Sequence, residues 1–417
     1  MIDHLSSRGR SFVKDLSPLI QAHFKSQGDP YDFDSNHGGY INMGTAETHL
    51  INEEIIDLLY KVQNRLQLNP EHIHYDHFYG SKVFRNAIAE YWQTLIFGRN
   101  SIPMLNSNRI VVGAGCSLAL EMLATMLGDP GDVFLIPAPY YPGFVNDIFD
   151  RAKIIPIGVY CGSDLSREAF ESAYIQQIRQ GRKVKAVLFS SPNNPIGTVY
   201  TVEAIKELIN FCIKKEIHLI SDEIYAQTIH DPEVTFVSAL KLVPKCYLSY
   251  VHVTSGFAKD FALSGFRVGF VISFNENLLK GLKNLSYYSA VSTHTQVVLT
   301  ELLNAPELSK VMQKSREQLR SAYLLIYDYL KEMEVEILPA QGGIFLLANL
   351  KKYMEKQDFK SEFSLWEKIY QELKVNISPG RLFKVLEPGW FRICYAHDPI
   401  IVKEACKRLH SLRKNCL

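Results

Sequence analysis

The sequence has no cysteines spaced to work together. Its seven stand at 116, 161, 212, 246, 394, 406 and 416, an odd number with no CxxC pair. That argues against a disulfide framework or a cysteine zinc site, and for a reducing compartment. Excess charge of one sign is also missing: 45 Lys and Arg stand against 44 Asp and Glu, a formal net charge of +1. Nothing in that balance would grip nucleic acid or an anionic membrane surface. No stretch is long and apolar enough to span a bilayer, and the opening MIDHLSSRGRSFVKDL lacks the continuous apolar core of a secretory signal. A cytoplasmic protein is expected. There is no internal repeat or low-complexity linker. With 417 residues, 47% hydrophobic and 21% charged, the chain suits a globular enzyme of about two or three domain-sized units.

What is there centres on VHVTSGFAKDFALSGFRVGF, residues 251 to 270. Lys259 stands among Phe257, Ala258, Phe261, Ala262 and Leu263. If buried, it loses ammonium hydration, and its lowered pKa favours Schiff-base chemistry. The alternative is a surface lysine whose stem covers apolar neighbours. Eight residues on, Arg267 stands two residues from Gly265 on one side and Gly269 on the other, and can approach an anion closely.

Several other stretches carry chemistry. Residues 109 to 127 read strand, glycine turn, helix. The turn Gly113 to Ser117 offers backbone N–H groups and a helix dipole to an anion, and fails as a dinucleotide fingerprint because Leu118 stands where the last glycine belongs. In PAPYYPGF, Tyr141 is held between prolines and can present a ring face, or can simply pack. SSPNNPIGT has two X-Pro bonds that allow a cis peptide around Asn194. Asp222, after the strand from His218, is either a helix cap or a carboxylate that pairs with a protonated ring nitrogen. Arg392, in the apolar strand Phe391 to Cys394, needs an anion if buried: a substrate carboxylate or a structural acid. Glu47 suits a helix start. The triplet His72, His74 and His77 lies in a Tyr-rich loop with no evident fourth ligand, so no metal site is expected.

Alternating strands and helices from about 105 to 270 predict an α/β protein with a mostly parallel sheet covered on both faces. A short amphipathic pattern at Phe12, Val13, Leu16, Leu19 and Ile20 predicts a helix followed by an irregular arm. Helices are expected at 202 to 215 and from Asn284 to about Met333. The C-terminal part has its own strands at Glu336 to Leu338, Ile344 to Ala348 and Phe391 to Cys394, then a final helix.

Taken together, from about residue 29 to 396, these motifs resemble the fold-type I pyridoxal phosphate enzymes of the aminotransferase class I and II family. The segments DPYDFDSNHGGYINMGTAET, PYYPGF and EPGWFRICYA are most similar to 1-aminocyclopropane-1-carboxylate (ACC) synthases. The resemblance implies a large domain over 46–290 with a mostly parallel central sheet. It also implies a smaller α+β domain over 291–417 and an N-terminal helix and arm, 1–45, packed with it. It further implies that Lys259 carries the cofactor as a Schiff base and, once freed, removes the Cα proton of an α-amino acid. Asp222 would pair with the ring nitrogen, Asn194 and Tyr225 with the ring hydroxyl oxygen, and Tyr141 would stack on the ring. Cys116, Ser117, Ser255 and Arg267 would hold the phosphate, and Tyr75 would reach the phosphate of a neighbouring subunit in a homodimer with shared active sites. Arg392 would bind the substrate α-carboxylate, and Glu47 a cationic group such as the sulfonium of S-adenosylmethionine.

The pattern is broken at Gly256 and Ala258, where the family carries small hydroxyl residues, and at Phe78, where ACC synthases have a tyrosine. Three functions follow. The first is an ACC synthase-like lyase acting on S-adenosylmethionine or another substrate with a γ leaving group. The second is an aminotransferase, and the third a non-catalytic binding protein of the same fold.

Overall fold

The computed structural model describes residues 4–98 and 104–415. Its strands are β1 Ile41–Asn42, β2 Ile110–Gly113, β3 Val133–Pro137, β4 Ile155–Val159, β5 Val184–Ser190, β6 His218–Asp222, β7 Val251–Gly256 and β8 Gly269–Ile272. The C-terminal part adds β9 Glu336–Leu338, β10 Phe345–Asn349, β11 Val375–Asn376, β12 Ser378–Pro379 and β13 Trp390–Cys394. A seven-stranded sheet runs β2-β8-β7-β6-β5-β3-β4. Its pairs are parallel from β4 across to β7, whereas β8 is antiparallel to both β7 and β2. The sheet is therefore mostly parallel, with β8 as its reversed member.

Both faces are buried, as parallel strands require. Along β3, Val133 and Leu135 pack with the helices Asn52–Arg65, Lys82–Ile96 and Val202–Lys215. Phe134 and Ile136 point the other way, onto the helices Cys116–Leu127 and Glu276–Leu285. This period of two in an unbroken apolar run explains why such strands read as continuous hydrophobic stretches. The helix expected at 202 to 215 is observed as Val202–Lys215, started by the Thr201 hydroxyl accepting from Ala204 N.

A four-stranded antiparallel sheet, β12-β13-β10-β9, forms a second core with the helices Phe359–Glu372 and Pro399–His410. The arm belongs to this core. β1 pairs in parallel with β11, Ile41 opposite Val375, and the arm contributes Tyr40, Ile41 and Met43. The helix Leu308–Glu332 joins the two units: Leu308 and Met312 pack in the first core, Leu319 to Leu330 in the second. A polar seam also links them. Gln341 N and Gly342 N both donate to Gly197 O, at 2.9 and 3.0 Å, and Gly343 N donates to Thr228 Oγ1 at 2.8 Å.

The first helix of any length differs from expectation. It spans Pro18–Gly28, with Ser17 capping and proline in its first turn, rather than the apolar positions from Phe12 to Ile20. The expected helical stretch from Asn284 resolves into Thr293–Asn304 and Leu308–Glu332. Six described cysteines are free; Cys416 lies outside the described residues. Among the described residues no helix is long and apolar enough to cross a membrane.

Candidate active site

A cavity of about 410 Å³ opens where the C-terminal ends of the parallel strands meet the arm and the second sheet. Ligands in α/β sheets bind outside these strand ends. Its lining gathers Cys116, Ser117, Tyr141, Asn194, Asp222, Tyr225, Lys259, Arg267 and Arg392, residues up to 276 positions apart in sequence.

The turn before the helix Cys116–Leu127 brings backbone to the cavity. Gly115 has φ +92, and a Cβ there would stand 2.7 Å from Arg267 Nη2, so only glycine lets the guanidinium lie against the turn. Arg267 is itself left-handed, φ +55, with Nη1 donating to Ser264 O at 3.1 Å. The Ser117 hydroxyl faces Asp147, whose carboxyl burial pushes up to about 7 against the pull of that hydroxyl. Tyr141, 37% exposed, has its ring edge-on to Phe144 and open to the cavity.

Asp222 ends β6 deep in the site. Burial pushes its carboxyl up to about 7, while hydrogen bonds from Thr254 Oγ1 (3.3 Å) and Ile224 N–H pull the other way. A buried acid so displaced becomes a stable anion only beside a cation. Tyr225 is fully enclosed, edge-on to Phe345. Glu223, next to Asp222, turns away: its Oε1 accepts from Ser221 Oγ, Ser238 Oγ and Ala239 N, a structural cap.

Lys259 follows β7, and its Nζ donates to Ala46 O at 2.5 Å. Burial lowers its pKa, opposed by Glu47. Arg392 on β13 is buried, with Nη1 donating to Asn194 Oδ1 at 3.1 Å and Nη2 to Gly44 O at 2.5 Å. Its guanidinium lies over the rings of Phe345 and Phe383. Among the described residues its Nε has no partner. Asn194 is positioned by the loop that starts at the cis Ser191–Pro192 peptide.

Three predicted residues do not line this cavity. Ser255 is fully buried, its hydroxyl donating to Glu223 O at 3.3 Å, so it does not replace the hydroxyls missing at 256 and 258. Glu47 stands behind Ser264, accepting from Ser264 Oγ at 2.5 Å. Tyr75 is 96% exposed on the outside of the molecule, with His77 stacked on Tyr79 nearby. Conversely, His23, Asp147, Ser264 and Asn376 line the cavity with no expected role, as do Leu19 and Ile20, which the sequence marks only as positions of an amphipathic helix.

Comparison with known proteins decides the lineage. The family model for aminotransferase class I and II matches residues 40–409. The chain belongs to that family. This class I and II family member is similar to 1-aminocyclopropane-1-carboxylate synthase 1 of Cucurbita pepo, 34% identical over 415 residues that cover 96% of this chain and 83% of the relative. It is likewise 34% identical to 1-aminocyclopropane-1-carboxylate synthase 7 of Arabidopsis thaliana, over 92% of this chain and 89% of that one. Among solved structures, a Thermus thermophilus aspartate aminotransferase double mutant superposes with TM-score 0.78 at 20% identity, covering 98% of this chain and 99% of that one. The Thermotoga maritima aspartate aminotransferase gives 0.78 at 21%, covering 98% and 100%. The fold is thus fold type I, and the chain is a pyridoxal 5'-phosphate-dependent enzyme.

The residues present fit that cofactor. The partners of Lys259, Arg267 and Arg392 are all neutral oxygens, so three cationic groups face one cavity with charge left to satisfy. A phosphate and a carboxylate would meet that need, and the raised Asp222 awaits a protonated ring nitrogen.

Proposed function

We propose that this enzyme is an ACC synthase-like lyase that binds an α-amino acid with a cationic γ leaving group, S-adenosylmethionine or a close relative. Glu47 carries the reading. Its carboxylate, held by Ser264, is one residue from the Ala46 carbonyl that contacts Lys259, so a negative charge lies beside the reacting amine. An apolar or acidic substrate gains nothing from an anion there; a sulfonium does. Its likeness to two ACC synthases at 34% identity supports the same class.

In this reading Lys259 binds the cofactor. Asp222 would hold its ring nitrogen, Asn194 and Tyr225 would take its ring oxygen, and Tyr141 would offer a ring face to it. Ser117, Arg267 and the backbone turn at Cys116 take its phosphate. When bound, pyridoxal phosphate supplies an electron sink for the pair left on Cα. Arg392 grips the α-carboxylate through a planar fork and so fixes which Cα bond faces Lys259. The free Lys259 amine, its pKa already lowered by burial, accepts the Cα proton at Nζ. Asp222, as an anion, keeps the ring-nitrogen proton in place.

A second reading, transamination, is favoured by Phe78. Its ring packs edge-on to Tyr287 at 5.0 Å and brings no hydroxyl. Incubation with S-adenosylmethionine, and separately with amino acids plus 2-oxo acids, followed by mass spectrometry, separates the two. ACC with methylthioadenosine identifies the lyase; new 2-oxo acids with no ACC overturn it.

The same reading takes the protein as a cytoplasmic homodimer. Exposed Ile73, Tyr75, Val83, Tyr287 and Tyr288 supply an apolar surface for a second copy, and the six described cysteines are free, as a reducing compartment allows. Its domains are the arm to 45 with the C-terminal unit, and a large unit through 290. Packing of Val298, Leu299 and Leu302 in the first core supports carrying the large unit on to the start of the joining helix.

A further inference from the structure

The helix Pro18–Gly28 carries no motif, yet Leu19, Ile20 and His23 on it form part of the cavity wall. His23 is the polar member, and its orientation can be worked out. Asn42 Oδ1 accepts from Gly44 N at 3.2 Å, Thr45 N at 3.3 Å and Asn376 Nδ2 at 3.0 Å. Those donors fix which end of the Asn42 amide is oxygen. The other end, Nδ2, therefore faces His23 Nδ1 at 3.2 Å, and also donates to Thr45 Oγ1 at 3.0 Å. An amide nitrogen only donates, so His23 Nδ1 is an acceptor. The single Thr45 hydroxyl proton can go either to His23 Nδ1 at 2.8 Å or to Asn42 Oδ1 at 3.4 Å, and the shorter contact favours the imidazole. The ring proton then sits on Nε2, for which the structure gives no protein partner among the described residues.

The placement of this N–H is tied to the reacting groups. Gly44 O holds Arg392, Thr45 Oγ1 holds His23 and Ala46 O holds Lys259, three consecutive residues of one arm. Whatever Arg392 and Lys259 bind is thus set at a fixed reach from His23. We infer that His23 is a specificity-determining residue whose Nε2–H donates to an oxygen or nitrogen acceptor on the substrate side chain, with Leu19 and Ile20 covering its apolar part. The inference rests on the amino acid-binding reading that the lyase and transamination readings share, and names the substrate side chain more closely: one with a polar acceptor, the nucleoside of S-adenosylmethionine under the lyase reading or a terminal carboxylate under transamination.

The test uses the cofactor-loaded full chain. Dissociation constants are read from the change in cofactor absorbance on titration with S-adenosylmethionine, glutamate and norleucine, for the native protein, H23A and H23Q. H23A is expected to weaken an acceptor-bearing amino acid by roughly tenfold, the loss of one hydrogen bond that leaves a donor's partner unpaired. Norleucine binding stays within about twofold, and H23Q, which restores an N–H donor, recovers most of the loss. Loss confined to S-adenosylmethionine assigns the acceptor to the nucleoside; loss confined to glutamate assigns it to a carboxylate. Equal weakening of all ligands in both variants would make His23 a structural residue and overturn the inference, as would no change in any. A native protein whose absorbance answers to no amino acid overturns the parent reading and this one with it.

Discussion

The Lys259 ammonium and the Ala46 carbonyl oxygen meet at 2.5 Å, so the amine at the centre of the cavity is held by a neutral backbone group rather than by an acid. Among the described residues no acid hydrogen-bonds it, and burial lowers its pKa against the opposing charge of Glu47, which leaves it poised to give up a proton. K259A is expected to abolish the absorbance of cofactor in Schiff-base linkage and to lower kcat by ~10²–10⁴-fold. K259R keeps a donor for Ala46 and should retain the native melting temperature while losing the same absorbance. Spectra and melting curves on the two variants check this.

Asp222 gives a pH prediction for the cofactor-free protein. Its carboxyl rises from 3.8 to about 7 on burial, so the folded state binds more protons than the unfolded state across that window. Stability from this group is full below about pH 4 and is lost as pH rises through about 7. D222N removes the titration. Its melting temperature relative to the native protein should therefore increase between about pH 4 and about pH 8. With cofactor bound, the cation opposite Asp222 stabilises the anion and the gap should close or reverse. Paired melts across pH, with and without pyridoxal phosphate, decide it. The buried histidines that titrate in the same range, such as His218 at about 4, cancel in the comparison.

Gly256 and Ala258 break the family pattern for different reasons. A Cβ at Gly256 would lie 2.6 Å from Val268 O and 3.0 Å from the Gly269 Cα, its partner across β7 and β8. G256S should therefore cost about 1–3 kcal/mol of stability and restore nothing. Ala258 borders the cavity. A258S should fold normally and tighten cofactor binding several-fold, through a hydroxyl offered to a charged group. Denaturant unfolding and cofactor titration of both variants test the contrast.

Glu47 and Arg392 should separate by substrate. R392K loses the two-point grip on a carboxylate and is expected to lower kcat/KM about 10- to 100-fold for every amino acid, on the order of 1.5–3 kcal/mol. E47Q keeps an acceptor for Ser264 and removes only charge. It should raise KM for S-adenosylmethionine roughly tenfold and leave neutral amino acids unaffected. An equal effect on both classes would remove the sulfonium role.

Much of the site was legible because its chemistry sits at strand ends inside short distinctive stretches. Lys259 after the β-branched run, Asp222 after His218 to Ser221, Asn194 between prolines and Arg392 in an apolar strand each carry a local signal, and folding brings all four to one cavity. His23, Asp147 and Ser264 were not legible, because a polar residue on a helix or in a loop looks the same whether it faces water or a cavity. The helix start lies at Ser17-Pro18, a cap followed by proline in the first turn, which apolar periodicity alone does not mark. The reversal of β8 has no signature in a four-residue apolar strand; the connection 257–268 holds only the short turn Ser264–Phe266 and no crossover helix that would return the chain for a parallel pairing.

The polar seam between the two cores has a further meaning. Lys259 is anchored to the seven-stranded sheet and Arg392 to the four-stranded one, so the span offered to a bound molecule is fixed by how the cores abut at Gly197, Gln341, Thr228 and Gly343. Evolution or engineering can thus lengthen or shorten that gauge by altering the joint, leaving every group that touches the ligand unchanged.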